Sequence, residues 1–342
     1  MKNNTKTIYD ISEKAGVSTA TVSRVMNGSD KVKESTREKV LKVIEEYGYE
    51  PNAFARGLGT GSMKTIGIMC ADVADIYLAN AVSFLERGLR EKGFNTILSC
   101  SGYEYQQKVR SPRSLENNGV DAIILVGSQY IEKNSKQNEY IKDASKRIPV
   151  MLLNAYLKGD NIYCNMSDDR EAYYEATQIL IDSGCSAIMF LYREVTYSAS
   201  KKYKGYAEAL EENLIEKDDQ LKVMCNSKID GVKEDLAEKY DELCKTGKRI
   251  DAILAADDEL AVGAIKFLAE KGIKIPEEVS VIGCNDSVLA ITCCPELSSI
   301  DNKCEVLCVN TVNTLMRILN HQDASNKTMV MSEYIKRNTT RL

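Results

Sequence analysis

Apolar residues recur every three to four positions through the first fifty residues, then gather into short unbroken runs from Lys64 onward. The two patterns predict different architectures. In the first, Thr7 caps a short helix to Lys14 that turns Ile8, Ile11 and Ala15 inward. Ala15-Gly16 makes a turn. Ser18 caps a second helix to about Val25, with Val22 and Val25 inward. Ser35 caps a third, TREKVLKVIEEYG, whose Val40, Ile44 and Tyr47 fall at helical spacing and whose Gly48 ends it. Pro51 opens a short piece, PNAFARGLGTG, that closes in glycines.

In the second pattern, apolar runs alternate with amphipathic stretches: TIGIMCA, ANAVSFLERGLREKG, FNTILSC, a helix, VDAIILVG, a helix, IPVMLLN. A second series runs from EAYYEATQILIDSG through AIMFLY, LKVMCNS and DAILAAD to VSVIGCND, with helices between. Continuous apolar strands alternating with helices predict parallel sheets covered on both faces. About ten strands exceed one small sheet. Two doubly wound lobes of about five strands each fit, with a ligand at the strand C-termini between them.

Charge changes the picture. The net charge of −5 speaks against a nucleic-acid binder, but its distribution does not. Residues 1–64 carry 11 Lys/Arg against 8 Asp/Glu, whereas the other 278 carry 34 against 42. A small basic head therefore precedes an acidic body. MKNNTKTIYD lacks the apolar core of a signal peptide, and no apolar run reaches the length of a membrane span, which predicts a cytoplasmic chain. The 11 cysteines form no CxxC pair and read as reduced, mostly buried thiols. Cys304 and Cys308 fall four apart on a helix. With His321 the one histidine, neither a zinc site nor a His-based triad has its parts. No metal or cofactor is expected.

The head carries the clearest chemistry. A helix, a glycine turn and a second helix rich in Ser and Thr have helix-turn-helix spacing. Ser18, Thr19 and Ala20 open the second helix, where small side chains let it sit deep in a major groove. Ala20 and the Thr19 methyl suit a thymine methyl, and Arg24 suits the O6/N7 edge of guanine. Thr21, Ser23, Asn27 and the helix start at Thr7 suit phosphate oxygens, with Lys31 and Lys33 adding attraction. The plain alternative is that these hydroxyls cap helices and Arg24 is a solvated side chain.

The run TIYDISEKAGVSTATVSRVMNG, then VKESTREKVLKVIEEYGYEPNAFARGL, then KTIGIM, resembles the lac-repressor (LacI/GalR) family of bacterial transcription regulators. DAILAADDELAVGAIKFLAEKGIKIPEEVSVIGCNDS, PELSSI and EYIKRNTT resemble later blocks of that family. The resemblance implies a helix-turn-helix head at 1–50, a hinge at 51–63, and a two-lobed body at 64–342 like the periplasmic sugar-binding proteins. The N-lobe is expected at about 64–158 and 290–318, and the C-lobe at about 159–289 and 319–342. It further implies a homodimer on a near-palindromic operator, controlled by a small effector. Asn52, Ala55 and Arg56 match hinge residues, and Leu58 matches the leucine that wedges into the minor groove. The absence of a C-terminal heptad extension favours a dimer over a tetramer.

The resemblance also places effector residues. Asp75, Ile76 and Tyr77 fall in the loop after the first strand of the body. Lys202 takes the place of an arginine that grips ligand oxygens; it keeps the charge and loses the planar fork, or else lies on the helix surface. Asp257 stands where the family has asparagine, and Asn285 where it has aspartate, so one carboxylate and one amide remain in exchanged order. That favours a sugar or other polyol. The chain has no tryptophan, so ring stacking falls to Tyr77, or to Tyr156 and Tyr197. Leu85 and Leu89 fit a subunit surface and a lobe core equally.

Three other readings are weighed. A nucleotide-binding enzyme lacks its glycine loop, because IGIMCADVAD has none. A transport protein lacks an export signal and has no use for the basic head. The third keeps the DNA-binding role and replaces the small effector by a protein partner, since one partner-controlled regulator of the family has a similar ARGL hinge.

Overall fold

The computed structural model describes residues 6–26, 28–49, 62–225 and 229–341, in two compact units that divide between Met63 and Lys64. In the first unit, α1 (Ile8–Ala15), α2 (Thr19–Met26) and α3 (Glu34–Tyr47) enclose Ile11, Ala15, Val22, Val25, Val40 and Val43. Thr7 and Asp10 form a reciprocal cap at the start of α1. Gly16 ends that helix at φ +60°, and the Gly16 and Val17 N–H groups return to the Glu13 and Ser12 carbonyls. Ser35 is not a cap. Helix α3 starts two residues earlier, at Glu34 behind Lys33, whose side chain makes no capping bond. The inward residue one turn after Val40 is Val43, with Ile44 only partly covered.

The second unit holds two sheets of six strands, one more apiece than the apolar runs suggested. The first is built from β1 (Thr65–Cys70), β2 (Asn95–Cys100), β3 (Ala122–Val126), β4 (Val150–Leu153), β5 (Ile162–Ser167) and β11 (Lys327–Val330), ordered β11-β5-β4-β3-β1-β2. The second comprises β6 (Ile188–Tyr192), β7 (Lys222–Met224), β8 (Ala252–Ala255), β9 (Ser280–Cys284), β10 (Ser298–Asp301) and β12 (Glu333–Ile335), ordered β12-β10-β9-β8-β6-β7. Every pairing is parallel except β10 with β12. Central strands such as AIILV in β3 and AILA in β8 are buried throughout, as parallel sheets under helices require.

Three expected lobe boundaries shift. β5 pairs with β4 and so belongs to the first lobe, β10 pairs with β9 in the second, and β11 returns to the first. The chain therefore crosses between lobes after Ser167, after Asp301 and after Val330. Helix α4 (Ile76–Glu91) packs with α12 (Cys304–Leu319) on the first sheet, so Leu85 and Leu89 are core residues within the described chain. In the second lobe, α7 (Asp169–Asp182) lies against α8 (Tyr197–Glu212). Gly205 allows this approach, because a Cβ there would overlap the Arg170 carbonyl oxygen. The second lobe also carries α10 (Asp258–Glu270), which packs over β8 and β9.

Candidate nucleic-acid interface and effector cleft

The face expected to read DNA is the outer stripe of α2. Val22 and Val25 are buried, which turns Ala20, Ser23 and Arg24 outward at helical spacing. Ala20 and Arg24 are exposed, while Thr19, Thr21 and Ser23 are half-buried. The Arg24 side chain makes no hydrogen bond or ion pair among the described residues. Ser18 Oγ accepts from Thr21 N at 3.2 Å and lies 2.9 Å from Thr21 Oγ1, so these two hydroxyls also hold the helix start. Thr7 Oγ1 donates to Asp10 Oδ2 at 2.8 Å and Thr7 N donates to the same oxygen at 2.7 Å. These bonds hold the Asp10 carboxyl below the usual carboxylate range. A phosphate approaching this helix start meets that carboxylate. Lys31 is exposed. Asn27, Asn52, Ala55, Arg56 and Leu58 lie outside the described residues.

In the second unit, a cleft of about 860 Å³ opens between the two sheets. Asp75, Tyr77, Tyr103 and Gln129 approach from the first lobe, and Arg193, Lys202, Asp257 and Asn285 from the second or its crossings. Five of the eight effector residues expected from the sequence therefore line one space: Asp75, Tyr77, Lys202, Asp257 and Asn285. Ile76 lines a small recess beside it, with Asp258 and Glu259. Tyr197 and Tyr156 do not join them. Tyr197 faces a separate recess of about 640 Å³ with Asp168, Lys201 and Lys327. Tyr156 packs on the core of the first sheet, its ring 5.4 Å from the Lys327 ammonium. The turn of the helix and the path of the β4–β5 loop decide these directions, and neither is visible in residue type.

The second lobe holds its polar groups in place before any ligand arrives. Lys202 is not on the helix surface: only 6% of it is exposed. Its ammonium donates to the Ala256 carbonyl at 2.7 Å and to Cys284 Sγ at 3.3 Å, with the Tyr173 ring 5.3 Å away. Burial works to lower its pKa, and Cys284 and the Asp169 carboxyl outweigh that, so the group is raised and keeps its proton. Asp169 accepts from Ser198 Oγ at 2.5 Å and Ser167 Oγ at 3.2 Å, and burial pushes its own pKa up.

Asp257 caps α10 through Leu260 N at 2.8 Å and accepts from Arg193 Nε at 3.0 Å. Arg193 also donates to Glu259 Oε2 at 2.9 Å. Asn285 sits at φ +99°, with its Oδ1 accepting from Asn302 Nδ2 at 2.8 Å. Asp258, next to the cap, accepts from Ser299 Oγ and Ser287 N, and burial raises it to about 6.

The first lobe is less committed. Asp75 caps α4 through Leu78 N at 2.9 Å. Burial, helped by the nearby Asp257 charge, raises its pKa. The Tyr77 ring packs into the core between α4 and α12, and its hydroxyl is buried without a partner among the described residues. Tyr103, which the sequence reading passed over, is 49% exposed at the cleft and presents the freer ring. Arg193 was missed as well. Its partners lie 64 and 66 residues along the chain, and nothing in LYREVTYS marks it.

No described helix is long and apolar enough to cross a membrane, and no cluster of three metal-ligating side chains occurs among the described residues.

Comparison with known proteins agrees with this layout. Residues 7–52 match the model of bacterial regulatory proteins of the lacI family, and residues 177–340 match a periplasmic binding protein-like domain. An HTH-type transcriptional regulator of Lachnoclostridium phytofermentans is 47% identical over 333 residues, spanning 97% of this chain and 99% of its own length. Among solved structures, a lac repressor dimer bound to operator and the anti-inducer ONPF superposes with a TM-score of 0.86 at 22% identity, covering 98% of this chain and 99% of that one. A complex of the transcriptional regulator CelR with cellobiose gives 0.71 at 24% identity with the same coverage.

Proposed function

The chain belongs to the lacI family of bacterial regulatory proteins, and from that premise we propose that it represses transcription in the cytoplasm as an operator-bound homodimer released or tightened by a sugar. It is a DNA-binding transcriptional regulator, and no catalytic role is assigned to it. In this reading Ala20 and Arg24 read base edges, and Thr7, Ser18, Thr19, Thr21, Ser23, Asn27 and Lys31 serve the backbone or the helix start. The hinge residues Asn52, Ala55, Arg56 and Leu58 enter the minor groove. The effector lies between the lobes, touching Asp75, Tyr77, Lys202, Asp257 and Asn285, with Ile76 at the edge of the site.

The observation that carries the effector reading is the composition of the cleft. Its two cations are internally engaged, Lys202 by a carbonyl and a thiol, Arg193 by two carboxylates. What remains for a ligand is a set of oxygen acceptors with a tyrosine ring at the mouth, and that suits a neutral polyol with many hydroxyl donors. The cellobiose complex of the CelR regulator is consistent with such a ligand. Tyr77 lines the cleft but packs its ring against the core, and neither Tyr156 nor Tyr197 lines the cleft, so in this reading Tyr103 takes the stacking role.

Thermal melting against neutral mono- and disaccharides, sugar phosphates, purines and amino acids tests this. A binder at a hundred times its dissociation constant stabilises the protein by about 2.7 kcal/mol, which a melting curve resolves. The expected result is a shift with a neutral sugar that is lost in Asp257→Ala. A shift with purines or sugar phosphates alone contradicts the reading.

A further inference from the structure

We infer that Cys70 and Cys100 are a peroxide-sensitive thiol pair, and that their disulfide ties β1 to β2 at the first-lobe wall of the cleft. The strand register sets the pair: Cys70 is the direct partner of Cys100 in the parallel β1–β2 ladder. Neighbouring strands run about 4.8 Å apart, inside the Cα separation of roughly 4.4–6.8 Å that a disulfide accepts. Register partners in a parallel pair point to the same face, and the two thiols interact directly.

The partners differ in access. Cys70 is fully buried, and Cys100 is exposed on the edge strand of the sheet. The helical pair Cys304 and Cys308 lacks this geometry. They lie one helical turn apart on α12, where Cβ atoms stand about 5–6 Å from each other, beyond the roughly 3.5–4.5 Å of a disulfide.

The chemistry balances with hydrogen peroxide as the oxidant. The Cys100 sulfur attacks one peroxide oxygen, forming a sulfenic acid and releasing water. The Cys70 sulfur then displaces hydroxide from the Cys100 sulfur, the hydroxide leaves as water with the Cys70 proton, and the S–S bond forms. Two thiols lose two electrons and one peroxide gains them. Burial, then the neighbouring Cys100, pushes the Cys70 thiol up to about 12, which assigns it the second, resolving step.

The position gives the bond a consequence. Beyond Cys70 the chain runs to Asp75 and Tyr77, and beyond Cys100 to Tyr103, all on the cleft wall. Ser101 N to the Cys70 carbonyl and Gly102 N to the Ala71 carbonyl already lace the two segments together. A covalent tie at their base restrains both. The disulfide itself does not depend on the effector reading; only its effect on ligand binding does.

The test treats the full chain with hydrogen peroxide, alkylates the remaining thiols, and maps peptides by mass spectrometry. The expected product is an intrachain peptide pair joining residues 70 and 100, lighter than the two thiols by about 2 Da. Slower amide exchange over 71–78 and 101–104 accompanies it. Cys100→Ser, a change at an exposed site, abolishes both. Oxidation of Cys100 to sulfinic acid with Cys70 unchanged overturns the proposal, as does a Cys100 bridge between two chains. An unchanged exchange pattern in the crosslinked protein overturns the restraint.

Discussion

On α2, Ala20 and Arg24 stand exposed four residues apart, and the Arg24 side chain has no hydrogen bond or ion pair among the described residues. In the cleft, Lys202 is buried and bonded to groups 54 and 82 residues away, and Arg193 is bonded to Asp257 and Glu259. One surface is assembled from a single helical turn and leaves its charge for a partner. The other is assembled by the fold and spends its charges on itself. A DNA backbone supplies its own counter-charges, so a reading helix needs only side chains at the right pitch. A small neutral ligand offers little energy per contact, so its site must be organised before it arrives.

The contrast has a direct consequence for mutation, and the largest effects belong in the cleft. Lys202→Met keeps the stem and removes the ammonium. It strips a donor from Ala256 and a positive neighbour from the buried Asp169, and should cost about 2–4 kcal/mol in urea unfolding. A loss under 0.5 kcal/mol would make Lys202 no more committed than Arg24. Next is Gly205→Ala, which forces a methyl against the Arg170 carbonyl and parts α7 from α8. A cost of roughly 1–3 kcal/mol is expected, with effector binding weakened alongside because Lys202 rides on α8.

Arg24→Ala should leave unfolding unchanged within about 0.5 kcal/mol. Its cost falls on operator affinity, about 1–3 kcal/mol, with discrimination relaxed at one base pair of each half-site. Equal weakening on all sequences would instead make Arg24 a phosphate contact.

The smallest effect is a pH slope. The Asp75 carboxyl is raised in the folded chain, so the folded state holds its proton to higher pH than the unfolded state does. Stability from this group is greatest below the ordinary carboxylate range and declines as pH rises toward the raised value. Asp75→Asn removes that decline. The variant should gain on the parent by a few tenths of a kcal/mol between pH 4 and pH 7 in paired unfolding curves. A variant that loses ground over that interval would reverse the sign.

The same contrast explains what the sequence disclosed. The head was legible because its determinants are local: Thr7 and Asp10 three apart, Gly16 at a left-handed turn, valines at helical spacing. Ser35 misled because Ser is a common cap, and the helix instead begins at Glu34 without a side-chain cap. In the body the apolar strands stood out, but β5 did not. Its IYCNMS carries Asn165 and Ser167, both buried: the Asn165 amide has no partner among the described residues, and Ser167 Oγ donates to Asn154 Oδ1 at 3.0 Å and to Asp169 Oδ1 at 3.2 Å where the chain crosses, so polar type here does not mark a surface.

The short β10 and β11 fell to the wrong side of the lobe division for a related reason. The chain's returns between lobes are fixed by pairing, β10 with β9 and β11 with the distant β5. Asp75, Lys202, Asp257 and Asn285 were placed through family resemblance. Arg193 and Tyr103 were not singled out in the sequence, and it is the folded chain that brings them to the cleft.

The central claim is that a ligand in the cleft sets the affinity of the head for DNA. The most direct measurement is fluorescence anisotropy on an operator duplex selected by the protein from a random pool, with and without the sugar found by melting. The account predicts a change of roughly 5–150-fold, the usual range of allosteric coupling, in the parent chain. It predicts unchanged operator affinity and no sugar response in Asp257→Ala. A sugar that binds the cleft and leaves operator affinity untouched would contradict it.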